Sequence, residues 1–150
     1  MDEKPSAALR SGKKSSMWSA VHSLASGDAN IALSCGNTGA LMAMSMMQLR
    51  KAPGVNRPAI AILWPSTNKR GFNIVLDAGA DVKADSLDLL QYTLMGVAYA
   101  KTGFSIEKPR VGLLNVGTEI HKGRTELHEA SLLISDIEKK TQNFQYLGYV

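Results

Sequence analysis

Three stretches of the chain place glycines, amides and carboxylates where an apolar run stops. They are Ser34-Cys35-Gly36-Asn37-Thr38-Gly39-Ala40, Asp77-Ala78-Gly79-Ala80-Asp81 and Asn115-Val116-Gly117-Thr118-Glu119. A short apolar run, a glycine with a capping residue and a longer apolar run form the pattern of a strand, a tight turn and a helix start. The first helical N–H groups lack intrahelical partners and sit at the positive end of the dipole, so an anion such as phosphate fits there. Open α/β sheets bind ligands at the carboxyl ends of parallel strands, so these three ends share one rim if their strands run parallel. That rim offers backbone donors, the amides of Asn37 and Asn115, the carboxylates of Asp77, Asp81 and Glu119, and Lys122. The set suits phosphate positioning or acyl transfer. A Gly-rich turn that binds nothing is the alternative for the first stretch. Cys35 is the single thiol, no histidine lies near it in sequence, and a buried structural role is the commoner one for such a residue. There is no GxSxG elbow, Walker loop or paired histidine metal motif.

The elements that must position these residues follow from periodicity. Residues 1–14 are polar and basic, with a loop or short helix over Ser6 to Arg10. A helix is predicted from Ser15 to Ala25, closed by Ser26-Gly27-Asp28, with His22 as a surface or core residue. Asn30 to Ser34 reads as a short strand, and Asn37 or Thr38 as the cap of a helix running to Leu49. That helix carries four methionines (Met42, Met44, Met46, Met47) and is apolar almost all round, the pattern of burial on most faces. Ala59 to Trp64 and Asn73 to Leu76 are strands joined too tightly for a parallel crossover, so they pair antiparallel and the sheet is mixed. Asp85 or Ser86 caps a helix over Leu87 to Ala100. Val111 to Leu114 is a strand, Thr125 to Lys140 an amphipathic helix with Leu127, Ala130, Ile134 and Ile137 inward, and Phe144 to Val150 begins a further strand. Alternating strands and helices predict a single α/β domain over 1–150, a three-layer αβα fold.

Composition narrows the classes. The 150 residues are 45% hydrophobic and 20% charged, an ordinary globular balance. One cysteine allows no internal disulfide and no zinc cluster. No run approaches the ~18 apolar residues of a membrane span, and the N-terminus lacks a signal-peptide core, so a cytoplasmic protein is expected. The charge is uneven. Residues 1–70 hold nine Lys and Arg against three acids, and residues 71–150 hold eight against ten. The first half therefore suits an acidic partner or substrate. Nucleic acid is not expected, because the basic residues are not interleaved with aromatics and no nucleic-acid motif occurs.

The same residues carry a resemblance. Asp2-Glu3-Lys4-Pro5-Ser6 with Ala8-Leu9-Arg10, Gly36-Asn37-Thr38-Gly39-Ala40-Leu41-Met42-Ala43 and Arg57-Pro58-Ala59-Ile60-Ala61 match a pattern in order and spacing. So do Leu76-Asp77 with Gly79-Ala80, and Gly112-Leu113-Leu114-Asn115 with Gly117, Glu119, Lys122 and Gly123. In these the chain closely resembles the bacterial phosphate acyltransferases of phospholipid synthesis, which make acyl phosphate from acyl-(acyl carrier protein) and inorganic phosphate. Members are longer at both ends, so the chain looks like their central portion, and their membrane-touching segment would lie beyond Val150. The resemblance implies a fold like that of isocitrate and isopropylmalate dehydrogenases and phosphotransacetylases. It implies a homodimer, a cytosolic enzyme peripherally associated with the membrane, and a downstream acyltransferase that passes the acyl group to glycerol 3-phosphate. No organic cofactor or metal is expected.

On that resemblance Asn37, Asp77, Asn115, Glu119 and Lys122 are the catalytic candidates. Lys4, Ser6, Arg10, Gly36, Thr38, Gly39, Gly79 and Gly117 are the candidates for holding phosphate. Asp81 stands where the family usually has Asn, and Thr118 and Ile120 stand where it is often acidic, which leaves Glu119 as the lone acid there. Two other readings use the same residues: a phosphotransacetylase acting on acyl-CoA, and a non-catalytic anion-binding or dimerisation module.

Overall fold

The computed structural model describes residues 12–77, 84–117 and 123–150. It divides into two compact units, Met1–Pro58 and Ala59–Val150.

In the first unit a 3-10 turn at Gly12–Lys14 leads into α1 (Ser16–Ser26), and α2 (Thr38–Leu49) packs against α1. The Ser15 hydroxyl accepts from the Trp18 N–H at 3.2 Å, which caps α1. Gly27, at φ 83°, ends that helix. The Gln48 side-chain amide donates to the Trp18 carbonyl at 3.2 Å and ties the two helices together. Val21, Ala40 and Met44 are buried, and His22 is exposed.

Two expectations fail here. Asn30–Ser34 forms no strand, and Ile31 and Leu33 are 86% and 89% exposed. A strand is defined by its ladder, and no ladder among the described residues reaches this segment, so a short apolar run alone did not suffice. The methionine helix is not buried on most faces either. Met44 is in the core, but Met46, Met47 and Leu49 face solvent, because α1 covers only one side of it.

The second unit is α/β. β1 (Ala61–Pro65) and β2 (Phe72–Leu76) pair antiparallel, from Ala61 opposite Leu76 to Pro65 opposite Phe72, as the short connection requires. Asn68 holds the turn: its Nδ2 donates to the Phe72 carbonyl at 2.7 Å and its Oδ1 accepts from the Arg70 N–H at 2.8 Å. Next, α3 (Ser86–Phe104) opens with Asp85 and Asp88 in a reciprocal capping box, which explains how a carboxylate as buried as Asp88 is tolerated. β3 (Arg110–Leu113), α4 (Thr125–Thr141) and β4 (Gln145–Tyr149) follow, with β3 and β4 parallel. The β3–β4 register slips by one residue between Val111 and Leu113, and Gly148 at φ 82° takes up the extra residue on β4.

The core lies between helices and sheet. Val97 of α3, Ile134 of α4 and Phe144 are buried together, with Leu90, Val111, Ile137 and Tyr146 packed around them. Ala130 and Ile134 are fully buried on the predicted inner face of α4. Among the described residues the strands form two two-stranded sheets, one antiparallel and one parallel. β2 meets β1 and β3 meets β4, and among the described residues no ladder joins the two pairs.

Candidate functional site

From the sequence, each of the three polar ends is expected to be the end of a strand. Only two of them follow a strand, and those strands belong to separate sheets.

The first end, Ser34–Ala40, is a loop that enters α2. Asn37 is the cap, and its Oδ1 accepts from the Ala40 N–H at 3.0 Å. The Gly36 N–H donates to the Ser34 hydroxyl at 3.2 Å. Two of the donors expected to meet an anion are therefore satisfied within the turn, and Thr38 and Gly39 supply the N–H groups between them. Cys35 is exposed rather than buried, with no disulfide. A Cβ on Gly36 would collide with the tip of Met17, so the turn lies close over α1.

The second end follows β2. Asp77 has φ 61°, the left-handed region that costs a non-glycine residue of order 1–3 kcal/mol and that Asp tolerates better than most. Its N–H donates to the Ile60 carbonyl at 2.9 Å, which extends the β1–β2 ladder and holds the residue in place. Its Oδ1 is shut off from solvent.

The third end follows β3 and meets the start of α4. The Asn115 N–H donates to the Val150 carbonyl at 3.3 Å, and the Val150 N–H donates to the Leu113 carbonyl at 3.1 Å. Parallel pairing with the β4 edge thus fixes where β3 ends. The Asn115 Oδ1 is buried. Gly123 has φ 101°, and a Cβ there would overlap the Asn115 amide group. Only glycine fits, for both conformation and space. This contact brings together two motif residues that lie eight apart in sequence. Arg124 is the cap position of α4 and makes no side-chain cap hydrogen bond. A guanidinium has no acceptor to offer, and the Leu127 N–H donates instead to the Arg124 carbonyl at 3.0 Å. An open pocket of about 330 Å³ lies there, lined by Leu114, Asn115, Val116, Gly123, Arg124 and Leu127. Sequence reasoning did not find Arg124 or Leu127. The signal was present: a basic residue stood where Ser, Thr, Asp or Asn usually caps a helix.

Lys4, Ser6 and Arg10, Gly79 and Asp81, and Thr118, Glu119, Ile120 and Lys122 lie outside the described residues. Gly117, at the end of the third stretch, is half-buried. No group of three or more His, Cys, Asp or Glu among the described residues is arranged to hold a metal ion. No helix among them is long and apolar enough to cross a membrane.

Comparison with known proteins sets this geometry in a family. The chain is 61% identical over all 150 residues to the phosphate acyltransferase of Paracoccus denitrificans, of which it covers 40%. It is 62% identical over 150 residues to the phosphate acyltransferase of Ruegeria sp., again covering 40%. The chain thus spans about 40% of the length of these curated relatives. Among solved structures, the EutD phosphotransacetylase from Staphylococcus aureus matches with a TM-score of 0.61 at 17% identity, over 97% of this chain and 48% of that one. That likeness concerns fold alone. The family model described as fatty acid synthesis protein matches residues 1–150, the whole chain, and the chain belongs to that family.

Proposed function

We propose that this chain provides acyl-transfer machinery of a phosphate acyltransferase, in which inorganic phosphate takes the acyl group from an acyl-(acyl carrier protein) thioester. The observation that carries the reading is its identity of about three residues in five, over its full length, with proteins named for that activity. The geometry is compatible with it. Phosphate needs donors and positive charge but no activated protein nucleophile, which fits a site whose one described thiol lies exposed on a loop.

In this proposal the Thr38 and Gly39 N–H groups and the α2 dipole hold one phosphate face. A phosphate oxygen attacks the thioester carbonyl carbon, the C–O bond forms, the C–S bond breaks and the carrier's thiolate leaves. Asn115, held against Gly123, donates to the developing oxyanion. Asp77 is an orienting carboxylate, strained into place by the end of β2. The resemblance assigns Lys4, Ser6, Arg10, Gly79 and Gly117 to phosphate, Lys122 to charge balance and Glu119 to orienting it. The finer fold, a three-layer αβα arrangement like that of isocitrate dehydrogenase, belongs to the same proposal. So do the homodimer, the peripheral membrane contact and the downstream glycerol-phosphate acyltransferase.

The test uses the protein as its genomic locus encodes it. Acyl-(acyl carrier protein), phosphate and hydroxylamine are combined, and acyl hydroxamate is measured as trapped acyl phosphate. Phosphate-dependent hydroxamate is expected, with an apparent affinity for the acidic carrier that weakens as salt rises. Product from acyl-CoA but not from the carrier thioester would replace this reading with a phosphotransacetylase. Folded protein that binds phosphate and turns over neither donor would leave an anion-binding module.

A further inference from the structure

The pocket between the end of β3 and the start of α4 is lined mostly by apolar side chains, with Arg124 among its lining residues. Leu114 and Val116 flank Asn115 in sequence and are 66% and 85% exposed, although the Asn115 Oδ1 between them is buried. Leu127, in the first turn of α4, and Arg124, at its cap position, complete the lining. Single exposed leucines are ordinary, but three apolar side chains around one concavity beside a cation are a recognition pattern. At about 330 Å³ the pocket is at the small end of the range for small-molecule sites. Its complement is a slender amphiphile with an apolar tail and an anionic or carbonyl head.

We propose that Leu114, Val116 and Leu127 hold the acyl chain, so that these residues set chain-length preference, while Arg124 faces the phosphate end. The inference rests on the acyl-transfer reading above and goes beyond it by naming the residues that touch the chain. The reacting carbonyl then lies beside Asn115, where its amide can reach the oxyanion. An apolar chain gains affinity with each methylene that leaves water for the pocket, so longer donors are favoured over short ones by the same wall.

The variants are Val116→Asp and Leu114→Asp. Both positions are exposed, so neither change disturbs packing, and circular dichroism checks the fold. A carboxylate in the chain's path should lower the palmitoyl-to-butyryl ratio of kcat/KM about tenfold, the loss of roughly two buried methylenes. Wild-type activity with an unchanged ratio in both folded variants would overturn this inference alone. Wild-type protein that makes acyl phosphate from no donor would overturn the acyl-transfer reading, and this inference with it.

Discussion

The starts of α2 and α4 are both helix N-termini beside candidate site residues, yet they treat their backbone donors in opposite ways. At α2, Asn37 accepts from the Ala40 N–H and Ser34 accepts from the Gly36 N–H, so the turn satisfies part of itself. At α4, the cap position is Arg124, whose side chain makes no cap hydrogen bond while its carbonyl accepts from the Leu127 N–H, and a pocket opens over the first turn. A candidate catalytic residue that is also a helix cap confounds folding with function, because its loss weakens both. A helix start without a cap separates the two, because adding a cap should improve the fold while blocking the ligand.

The largest effect is expected where conformation and space both demand glycine. Gly123→Ala forces an alanine to φ 101° and drives its Cβ into the Asn115 amide. We expect a loss of about 1–3 kcal/mol in chemical denaturation. Hydroxamate formation should fall by about a hundredfold or more, the scale of losing one oxyanion donor or its alignment. Near-normal turnover in this variant would remove Asn115 from the α4 side of the comparison.

At α2 the test is a pair of variants. Asn37→Ala should cost about 1 kcal/mol as a lost cap and also lower the phosphate-dependent rate. Asn37→Asp keeps an acceptor for the Ala40 N–H, so stability should return to near wild type. Its negative charge beside the Thr38 and Gly39 donors should nevertheless raise the KM for phosphate. If Asn37→Asp restores both stability and KM, Asn37 is a cap and nothing more.

Arg124→Ser turns the contrast around. A serine cap can accept from the first turn of α4 and should add about 0.5–1 kcal/mol of stability. It also removes the cation and occupies a donor, so phosphate-dependent turnover should fall while the melting temperature rises. A variant that is more stable and equally active would show that the α4 start is not used.

The helices were legible because each carried both a period and a punctuation mark. Asn37 and Asp85, each one of two capping candidates, cap their helices, and Ala130 and Ile134 are the buried stripe of α4. The β1–β2 pairing was legible because connection length alone decides it. What failed were statements that depend on a neighbour. Asn30–Ser34 has a strand's residues without a ladder, and Met46 and Met47 have core residue types on an open face. Sequence reports what a segment would bury, not what arrives to cover it. The site was half legible for the same reason. Asn115 and Gly123 stood out as motif residues, but their contact, and the position of Arg124 and Leu127 around a pocket, arise from how β3 ends against β4.

The smallest effect serves as the control for α4, since it alters how the helix is held without touching the pocket. The Tyr146 hydroxyl of β4 donates to the Ser131 hydroxyl of α4 at 2.9 Å. Burial pushes the phenol above its ordinary range, which the Ser131 hydrogen bond partly offsets. Because the folded-state value is raised, the fold favours the neutral phenol. That contribution is complete below the unfolded phenol's usual value of about 10 and is lost as pH rises through the higher folded value. Tyr146→Phe should cost about 1 kcal/mol at neutral pH, the net value of one hydrogen bond. The stability gap between wild type and variant should then narrow in alkali, as the wild-type phenol alone is driven to ionise. The KM for phosphate should stay at the wild-type value, because the hydroxyl pair lies along α4 away from its first turn. A gap that stays constant across that range would mean the phenol is not the titrating group. A raised KM would mean that the α4 start depends on the whole helix mount rather than on Arg124 and its pocket.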